Sequence, residues 1–580
     1  MAVQTNVSTN RPLGRVSSRW IYIAIGVAVI INLVMLLAYQ HYLAGDFPFQ
    51  DEIGYVNRLH QLAVTGFPHF LFDRYWNYFT PSYFLIWYGF YKLSHLNIET
   101  VRYTGAVVSA SVSLLLCVLL FRKAQRFDML TILVVLSAPF VICSYNYWAS
   151  YNQSMESVAQ PLVFGLSLGL IWIAERFFSA VDSGEKIQRV LSWAALGTLV
   201  WVFAAGIYPP PLVIPVTVML TRWLLLRRVD VAMVVLGALA IALPLTYVML
   251  GEGLRTGWSA SNAGFGLRDV LHAVAAAVAL SGNALFSPGT ALQEVLAWLL
   301  GSGLLLGQLA CAVYTVRLPL AQRSRFFVPL ALMIYNAFVL LEIIGARLHY
   351  PGLDFTPRYA IFGLGGPVSL MTWFVLLDSH ARWRKVLAIG TLAMTVVGVA
   401  VADREQIRQL PYTRAAFARI RSTMMSLQAP PNAAQQAEMF VNPPLAPYVY
   451  PDLQFLREER LAMYAVAGSQ TVSPSASPPA SLKTALLVTN FGPEDVRAKI
   501  PFHVEPNGES SMWLRVNQPV EGEVYVVING ARLRAFHHDN VIAVTLPALL
   551  YSKPGHYPMN VVAISAGRVT KSNTVEFVVH

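Results

Sequence analysis

The chain has 580 residues, of which 56% are hydrophobic and 13% are charged, and its formal net charge is +11. Soluble proteins carry about 25% charged residues, so this composition excludes an ordinary soluble protein and places most of the chain in lipid. The positive charge does not indicate nucleic acid as a partner, because Lys and Arg lie in short groups between apolar segments. The three cysteines have no metal-type spacing and are predicted to be apolar core residues.

The first apolar segment, 20–39, follows Arg11, Arg15 and Arg19. Its length of about 20 residues is enough to cross a bilayer and exceeds the apolar core of a signal peptide. We therefore predict that residues 1–19 form a cytoplasmic tail and that this segment is retained as the first membrane span.

Ten further apolar segments follow, which predicts a polytopic α-helical membrane protein with about eleven spans. These segments are 103–121, 128–143, 158–174, 190–206, 211–226, 230–249, 291–316, 326–344, 359–377 and 386–402. Basic residues occupy every second connection, all on the side of the N-terminal tail. An odd number of spans then predicts that the C-terminus lies outside the cytoplasmic membrane.

The segment 81–95, PSYFLIWYGFYKLSH, is apolar and aromatic but too short to span. If it did span, the basic connection at 122–126 would lie outside and the alternation of charge would fail. We therefore predict an interfacial helix on the outer leaflet, where Trp and Tyr are favoured, and the same position for 267–283.

After residue 402 the sequence loses its membrane character. Residues 403–470 are predicted to form a mixed extracytoplasmic region with a helix near 414–427. A Ser/Pro-rich linker, TVSPSASPPA, follows at 471–480 and is predicted to leave the last part of the chain as an independent unit. Residues 481–580 alternate apolar and polar positions in short segments, which predicts an extracytoplasmic all-β sandwich.

This β region resembles the immunoglobulin-like IPT/TIG domains in the segments VVINGARL, VTLPALL and SNTVEFVV. No catalytic constellation stands out in it, so we expect it to position or bind an acceptor. Aromatic and histidine residues offer a sugar-contacting surface, namely Trp513, Tyr525, His537 and His538. The alternating pattern also allows Trp513 and Tyr525 to be core residues of their strands.

The first external connection, 41–102, carries the adjacent acids Asp51 and Glu52 just after the first span. A carboxylate at the membrane surface, facing a cavity, is a natural general base. Alternatively, the pair caps the start of a juxtamembrane helix, because acids favour helix N-termini.

An acidic pair followed by an aromatic connection resembles the first loop of the GT-C glycosyltransferases, such as the protein mannosyltransferases and the lipid A aminoarabinose transferase. The segment NYFTPSYFLIWYGFYKL followed by Arg102 resembles the rest of that loop, and PRYAIFGLGGPV resembles a late Arg-Tyr motif. The sequence departs from the family at 79–81, Phe-Thr-Pro, where His-Pro-Pro is usual. The resemblance covers about residues 1–400 and implies a GT-C-like catalytic domain over 20–402 in a bacterial cytoplasmic membrane.

The resemblance also implies an activity. A sugar would pass from a polyprenyl-phosphate donor to a glycan, lipid or protein acceptor at the outer face of the membrane, with inversion and with Asp51 as the base. Glu52 and Glu156 would complete the catalytic set. The predicted donor-binding residues are Arg58, Arg74, Arg102, Arg358 and Tyr359, and the predicted sugar or acceptor contacts are Tyr145, Tyr147 and Tyr151.

Each of these residue types also has a structural explanation. Glu156 can cap a span, the Arg358–Tyr359 pair can anchor a helix at the interface, and the three tyrosines can form an aromatic belt. No metal site is predicted, although a divalent cation between carboxylates and phosphate is compatible with the residues.

Two other classes of function remain open. A transporter or flippase of a lipid-linked saccharide would be expected to show internal repeats and charges within its spans, and neither is evident in the sequence. A non-catalytic envelope-assembly protein would use the β domain to hold a partner, but it would not need so elaborate a first external connection.

Overall fold

The computed structural model describes most of the chain. The described residues are 18–43, 45–50, 52–72, 79–124, 128–147, 151–227, 229–251, 267–285, 291–347, 357–377, 382–431, 433–439, 445–465, 486–493, 495–498, 502, 510–520, 522–538, 540–565 and 568–580.

The described residues up to 465 are mainly helical. The α-helices are α1 Ser18–Leu43, α2 Glu52–Thr65, α3 Phe67–Phe72, α4 Pro81–Ser94, α5 Ile98–Lys123, α6 Met129–Ile142, α7 Ser154–Asp182, α8 Ile187–Ala205, α9 Ile214–Leu226, α10 Val231–Gly251, α11 Leu267–Asn283, α12 Ala291–Arg317, α13 Leu320–Arg323, α14 Phe327–Arg347, α15 Gly365–Val375, α16 Arg382–Ser426, α17 Ala433–Glu438 and α18 Ala446–Glu458. Short 3-10 helices lie at Tyr145–Tyr147, Pro210–Val213, Ser324–Phe326, Pro357–Leu364 and Ala462–Tyr464.

Several of these helices match the predicted spans and confirm the membrane class. By length and composition, seven helical segments of the described chain can cross a membrane: Arg19–Leu43, Ile98–Lys123, Met129–Tyr147, Ser154–Asp182, Ile187–Ala205, Gln293–Arg317 and Ser324–Gly345. The predicted spans 211–226 and 359–377 fall on shorter apolar helices, and 230–249 and 386–402 fall on α10 and α16. The count of eleven spans therefore stays a prediction.

Ion pairs gather the ends of three helices on one side of the bundle. Lys123, at the end of α5, pairs with Glu175 near the end of α7. Arg222 of α9 pairs with Asp182 at 2.9 Å and with Asp230, just before α10, at 2.6 Å. Helices α5 and α7 therefore both begin at the opposite end of the bundle, where the candidate site lies.

The helix α16 is 45 residues long. At 1.5 Å per residue it reaches roughly 67 Å, about twice the thickness of a bilayer core. It contains the predicted last span and continues through Pro411 into the predicted helix near 414–427. The predicted last span and the predicted external region thus share one continuous helix.

The β domain is antiparallel apart from one short pairing between β2 and β9. Its strands are β1 Val488–Gly492, β2 Asp495–Val496, β3 Ser510–Val516, β4 Glu523–Ile528, β5 Ala531–His538, β6 Val541–Leu546, β7 Gly555–Ser565, β8 Arg568–Lys571 and β9 Val575–Val579. They form one sheet in the order β1-β3-β6-β5-β4-β7-β9-β2, with β8 beside β7. The strands do not form two separate sheets, because β5 pairs with β4 through its first half and with β6 through its second half.

The concave side of this sheet encloses a core of its own, which includes Met512, Val526, Val561 and Phe577. The outer side packs against α16. The Tyr412 hydroxyl donates to the Ser511 hydroxyl at 2.9 Å, and the Arg419 guanidinium lies 4.1 Å from the centre of the Phe536 ring. The linker at 471–480 led us to predict an independent unit, and the separate core agrees with that. The contact with α16 was not predicted.

The strand register separates the residues proposed as a sugar-contacting surface. Trp513 and Phe536 both pair with Ala543, so Trp513 lies on the face that packs against α16. Its ring also contacts β1, where a Cβ on Gly492 would lie 2.9 Å from the indole. Tyr525 lies three strands away from Trp513, opposite Arg534. These aromatic residues therefore do not form one surface.

Candidate functional site

Glu52 joins the first external connection to the start of α7. Its side chain is buried, with the residue only 1% exposed. One carboxylate oxygen accepts a hydrogen bond from the Phe49 N–H at 2.7 Å. The other accepts from the Ser154 N–H and hydroxyl and from the Met155 N–H at 3.3 Å, at the positive end of α7. Glu52 therefore holds α2 against the N-terminus of α7.

Burial has a marked effect on this carboxyl group. It raises the pKa of Glu52, while the nearby Arg102 and the hydrogen bonds from Ser154 and the backbone act in the opposite direction. A carboxyl group surrounded by donors and shielded from water is suited to positioning, because its lone pairs are already occupied. Its predicted catalytic role stays a prediction.

Arg102 completes this junction from α5, where it is 1% exposed. Its guanidinium donates to the carbonyl oxygens of Gly45 and, at 2.9 Å, of Asn152, and it lies 5.4 Å from the centre of the Phe417 ring. A side chain at Gly45 would not fit, since its Cβ would lie 2.5 Å from Arg102 Nη1. In this arrangement Arg102 ties the first connection to the segment before α7, and its predicted contact with the sugar donor stays a prediction.

A second carboxylate lies one turn into α7. Glu156 is 1% exposed and accepts hydrogen bonds from the Tyr208 hydroxyl at 2.8 Å and from the Gln160 amide at 3.0 Å. Tyr208 follows α8, and its ring centre lies 5.8 Å from that of Phe362, which belongs to the segment PRYAIFGLGGPV. Sequence reasoning missed Tyr208. Its one signal is the aromatic position in the external connection GIYPPP.

Of the remaining predicted donor-binding residues, the structure describes the side chain of Arg58 alone. Arg58 on α2 lies with its guanidinium 3.7 Å from the centre of the Phe84 ring and donates to the His69 carbonyl at 3.2 Å. Asp51 and Arg74 lie outside the described residues, as do the side chains of Arg358 and Tyr359, whose backbone belongs to the 3-10 helix Pro357–Leu364. Their predicted roles rest on the sequence alone.

The predicted sugar-contacting tyrosines are buried. The hydroxyls donate to backbone carbonyls: Tyr145 to Met35 at 2.9 Å, Tyr147 to Ala284 at 2.9 Å and Tyr151 to Ile142 at 3.5 Å. Tyr147 and Tyr151 are both 0% exposed. In this arrangement the rings pack the helices together, and contact with a sugar would require them to become exposed.

Two further acids, both missed from the sequence, fix the external region. Asp403 of α16 accepts from the Ser144 hydroxyl at 2.9 Å and from the Tyr145 N–H at 2.8 Å. Asp452 of α18 accepts from the Asn57 amide at 3.1 Å and contacts His60 of α2. Both contacts join residues hundreds of positions apart, which no local pattern reveals.

In the described part of the chain, no group of three or more His, Cys, Asp and Glu residues is arranged to hold a metal ion. Comparison with protein-family models and with curated proteins gave no match for this chain. The buried polar residues form a layer at one end of the helical bundle, where the first external connection meets α5, α7 and α16.

Proposed function

We propose that this chain is a membrane glycosyltransferase of the GT-C type. It moves a sugar from a polyprenyl-phosphate donor to a glycan, lipid or protein acceptor at the outer face of the cytoplasmic membrane. The observation that carries the proposal is the anchoring of Glu52 on Ser154, in the same layer as Arg102 and Glu156. The anchor fixes the residue directly after Asp51, whose role as base rests on the sequence.

The proposed step is a single displacement. The acceptor hydroxyl oxygen attacks the anomeric carbon of the sugar while Asp51 takes the hydroxyl proton. The bond between that carbon and the phosphate oxygen breaks, and polyprenyl phosphate leaves with the electron pair. Phosphate needs positive charge and no proton to leave, which Arg74 and Arg358 are proposed to supply. Glu52 and Arg102 act as positioning residues that hold the connection in place.

The test is transfer by the purified protein, incubated with a panel of polyprenyl-phosphate sugars and a mixture of saccharide and lipid acceptors. We expect one donor to be consumed, and Asp51→Asn to lower its turnover at least about 100-fold. Glu459→Gln, at an exposed site after α18, is the matched control and should leave turnover unchanged. Near-normal turnover in Asp51→Asn would disprove the assignment of the base, and a wild-type protein inert toward every donor would overturn the proposal.

One observation favours a second candidate, transport of a lipid-linked saccharide. Asn336 lies inside the candidate span Ser324–Gly345 and is 0% exposed, and its amide has no hydrogen-bond partner within the described residues. It faces Gly366, whose added Cβ would lie 3.7 Å from Asn336 Nδ2 and 2.9 Å from Gln308 Nε2. Unpaired polar groups within spans often line transport pathways. The test is movement of a fluorescent lipid-linked saccharide across the membrane of proteoliposomes that contain the protein. Movement that is lost in Asn336→Leu would support transport.

A further inference from the structure

A row of side chains crosses the outer face of the β domain beyond the part that α16 covers. Arg534 lies opposite Tyr525, Tyr525 opposite Val562, and Val562 opposite Lys571. Directly opposed residues point to the same side of a sheet, and Arg532 shares that side because it lies two residues before Arg534. We call Tyr525, Arg532, Arg534 and Lys571 the basic face.

The basic face carries an ordered cation. The Arg532 guanidinium lies 3.8 Å from the centre of the Tyr525 ring, and the Tyr525 hydroxyl donates to Glu523 Oε2 at 2.8 Å. A guanidinium held over an aromatic ring keeps its N–H groups available for contact with an anion.

The charges on this face are unbalanced. Arg532, Arg534 and Lys571 are all exposed, and none of them has an ion-pair partner among the described residues. Two acids lie on this side of the sheet: Glu523, whose carboxylate is engaged by Tyr525, and Glu576 on β9, which contacts His556 at 3.2 Å. The four adjacent strands β5, β4, β7 and β8 together span roughly 14 Å. This width is enough to meet more than one charged unit of a polymer. Charge complementarity therefore favours an anionic partner with repeated charges.

A buried polar atom adds a second requirement. Asn560 lies opposite Val527 on the same side of the sheet, is 9% exposed, and its Oδ1 has no hydrogen-bond partner among the described residues. An unsatisfied buried carbonyl oxygen is costly and is relieved by an O–H donor. A partner rich in hydroxyl groups as well as anionic fits both features.

We propose that the basic face binds an acidic saccharide. Its carboxylate or phosphate groups contact Arg532, Arg534 and Lys571, and its hydroxyl groups reach toward Asn560. The proposal deepens the proposed function, on which it rests, by naming an acidic glycan as the acceptor class. The binding itself requires no transfer, so it is measured separately from that activity.

The experiment measures binding of full-length protein in nanodiscs of neutral phosphatidylcholine, with polygalacturonate as the acidic probe and dextran as the neutral one. We expect the wild-type protein to bind polygalacturonate and not dextran, with affinity that falls as salt is added. The double variant R532Q/R534Q should bind polygalacturonate at least about tenfold more weakly, because two charge-assisted contacts are lost.

The matched control is R515Q/K553Q, which removes the same charge from exposed sites on the same domain away from the basic face. Equal weakening in both double variants would overturn the proposal in favour of a general charge effect. Binding to dextran as strong as to polygalacturonate would also overturn it. Binding to vesicles with phosphatidylglycerol but not to polygalacturonate would assign the face to a membrane surface instead. If transfer fails while Arg-dependent binding persists, the proposed function falls and the binding site stands.

Discussion

His60 of α2 and Asp452 of α18, which are 392 residues apart in the chain, meet with 3.0 Å between Nδ1 and Oδ1. The Asp452 side chain is 2% exposed, and the His60 ring stacks on Phe455 with 4.9 Å between ring centres. This contact fastens α18, which lies in the predicted external region, to α2, the helix that begins with Glu52. Variants at this contact therefore test how much it stabilises the protein.

We expect this contact to make stability depend on pH. Burial raises the pKa of Asp452 to about 6, so the folded protein holds this proton more tightly than the unfolded chain does. The stabilising contribution is full below the ordinary carboxyl pKa and is lost as the pH rises through about 6. The melting temperature of the wild-type protein relative to Asp452→Asn should therefore fall between about pH 4 and pH 7. Glu459→Gln serves as the control, and a flat difference would contradict the prediction.

Glu52→Gln should destabilise the protein more than it affects chemistry. The amide keeps one acceptor oxygen, but its NH2 group replaces the other and faces the N–H of Phe49 or the hydroxyl of Ser154, which are themselves donors. Losing this buried charge-assisted hydrogen bond should lower the free energy of unfolding by about 2–3 kcal/mol. Thermal melting in detergent should show a clear loss relative to Glu459→Gln, with transfer partly retained at low temperature. Unchanged melting together with abolished transfer would instead make Glu52 catalytic.

Gly45→Ala tests the close approach of Arg102. The added Cβ would lie 2.5 Å from Arg102 Nη1 and 3.0 Å from Phe417 Cδ2, so the connection and α16 must separate. We expect lower melting temperature and reduced transfer. The matched control is Gly89→Ala in α4, where nothing lies within 4 Å of the added Cβ and helix propensity favours Ala. Equal behaviour of the two variants would show that Arg102 moves aside freely.

Tyr208→Phe tests the partner of Glu156. Loss of the hydroxyl leaves the buried carboxylate with one fewer donor, at a cost of about 1–3 kcal/mol. If Glu156 acts in transfer, the pH dependence of turnover should shift in Tyr208→Phe. Tyr450→Phe, which loses an exposed hydrogen bond to the Gln428 carbonyl, should leave the pH profile in place. A shift of equal size in both variants would argue against a role for Tyr208.

The predicted orientation is tested with fusions. The pairs Lys123–Glu175 and Arg222–Asp182 lie at the end of the bundle opposite Glu52, as the predicted alternation of basic connections requires. We expect a C-terminal alkaline phosphatase fusion to be active and a C-terminal GFP fusion to be dark. The reverse pattern would mean that a span is miscounted.

Local patterns predicted much of the secondary structure. The helix expected over 81–95 is observed as Pro81–Ser94, and the alternating strands of the β domain are present. Of the buried layer, Glu52, Arg102 and Glu156 were singled out from the sequence as candidate site residues. Their partners Ser154 and Tyr208 come from other helices, and no periodicity fixes such contacts. The predicted span 386–402 and the predicted helix near 414–427 belong to a single helix, α16, which continues through Pro411.

Phe417 and Arg419 lie two residues apart on α16, so their side chains point about 200° apart around the helix. Phe417 contacts Phe47 and Arg102, whereas Arg419 contacts Phe536 of the β domain. A rotation of this single turn cannot move one contact without moving the other. The packing of the β domain and the packing of the first external connection are therefore linked through one turn of α16, so a change at either contact is felt at the other.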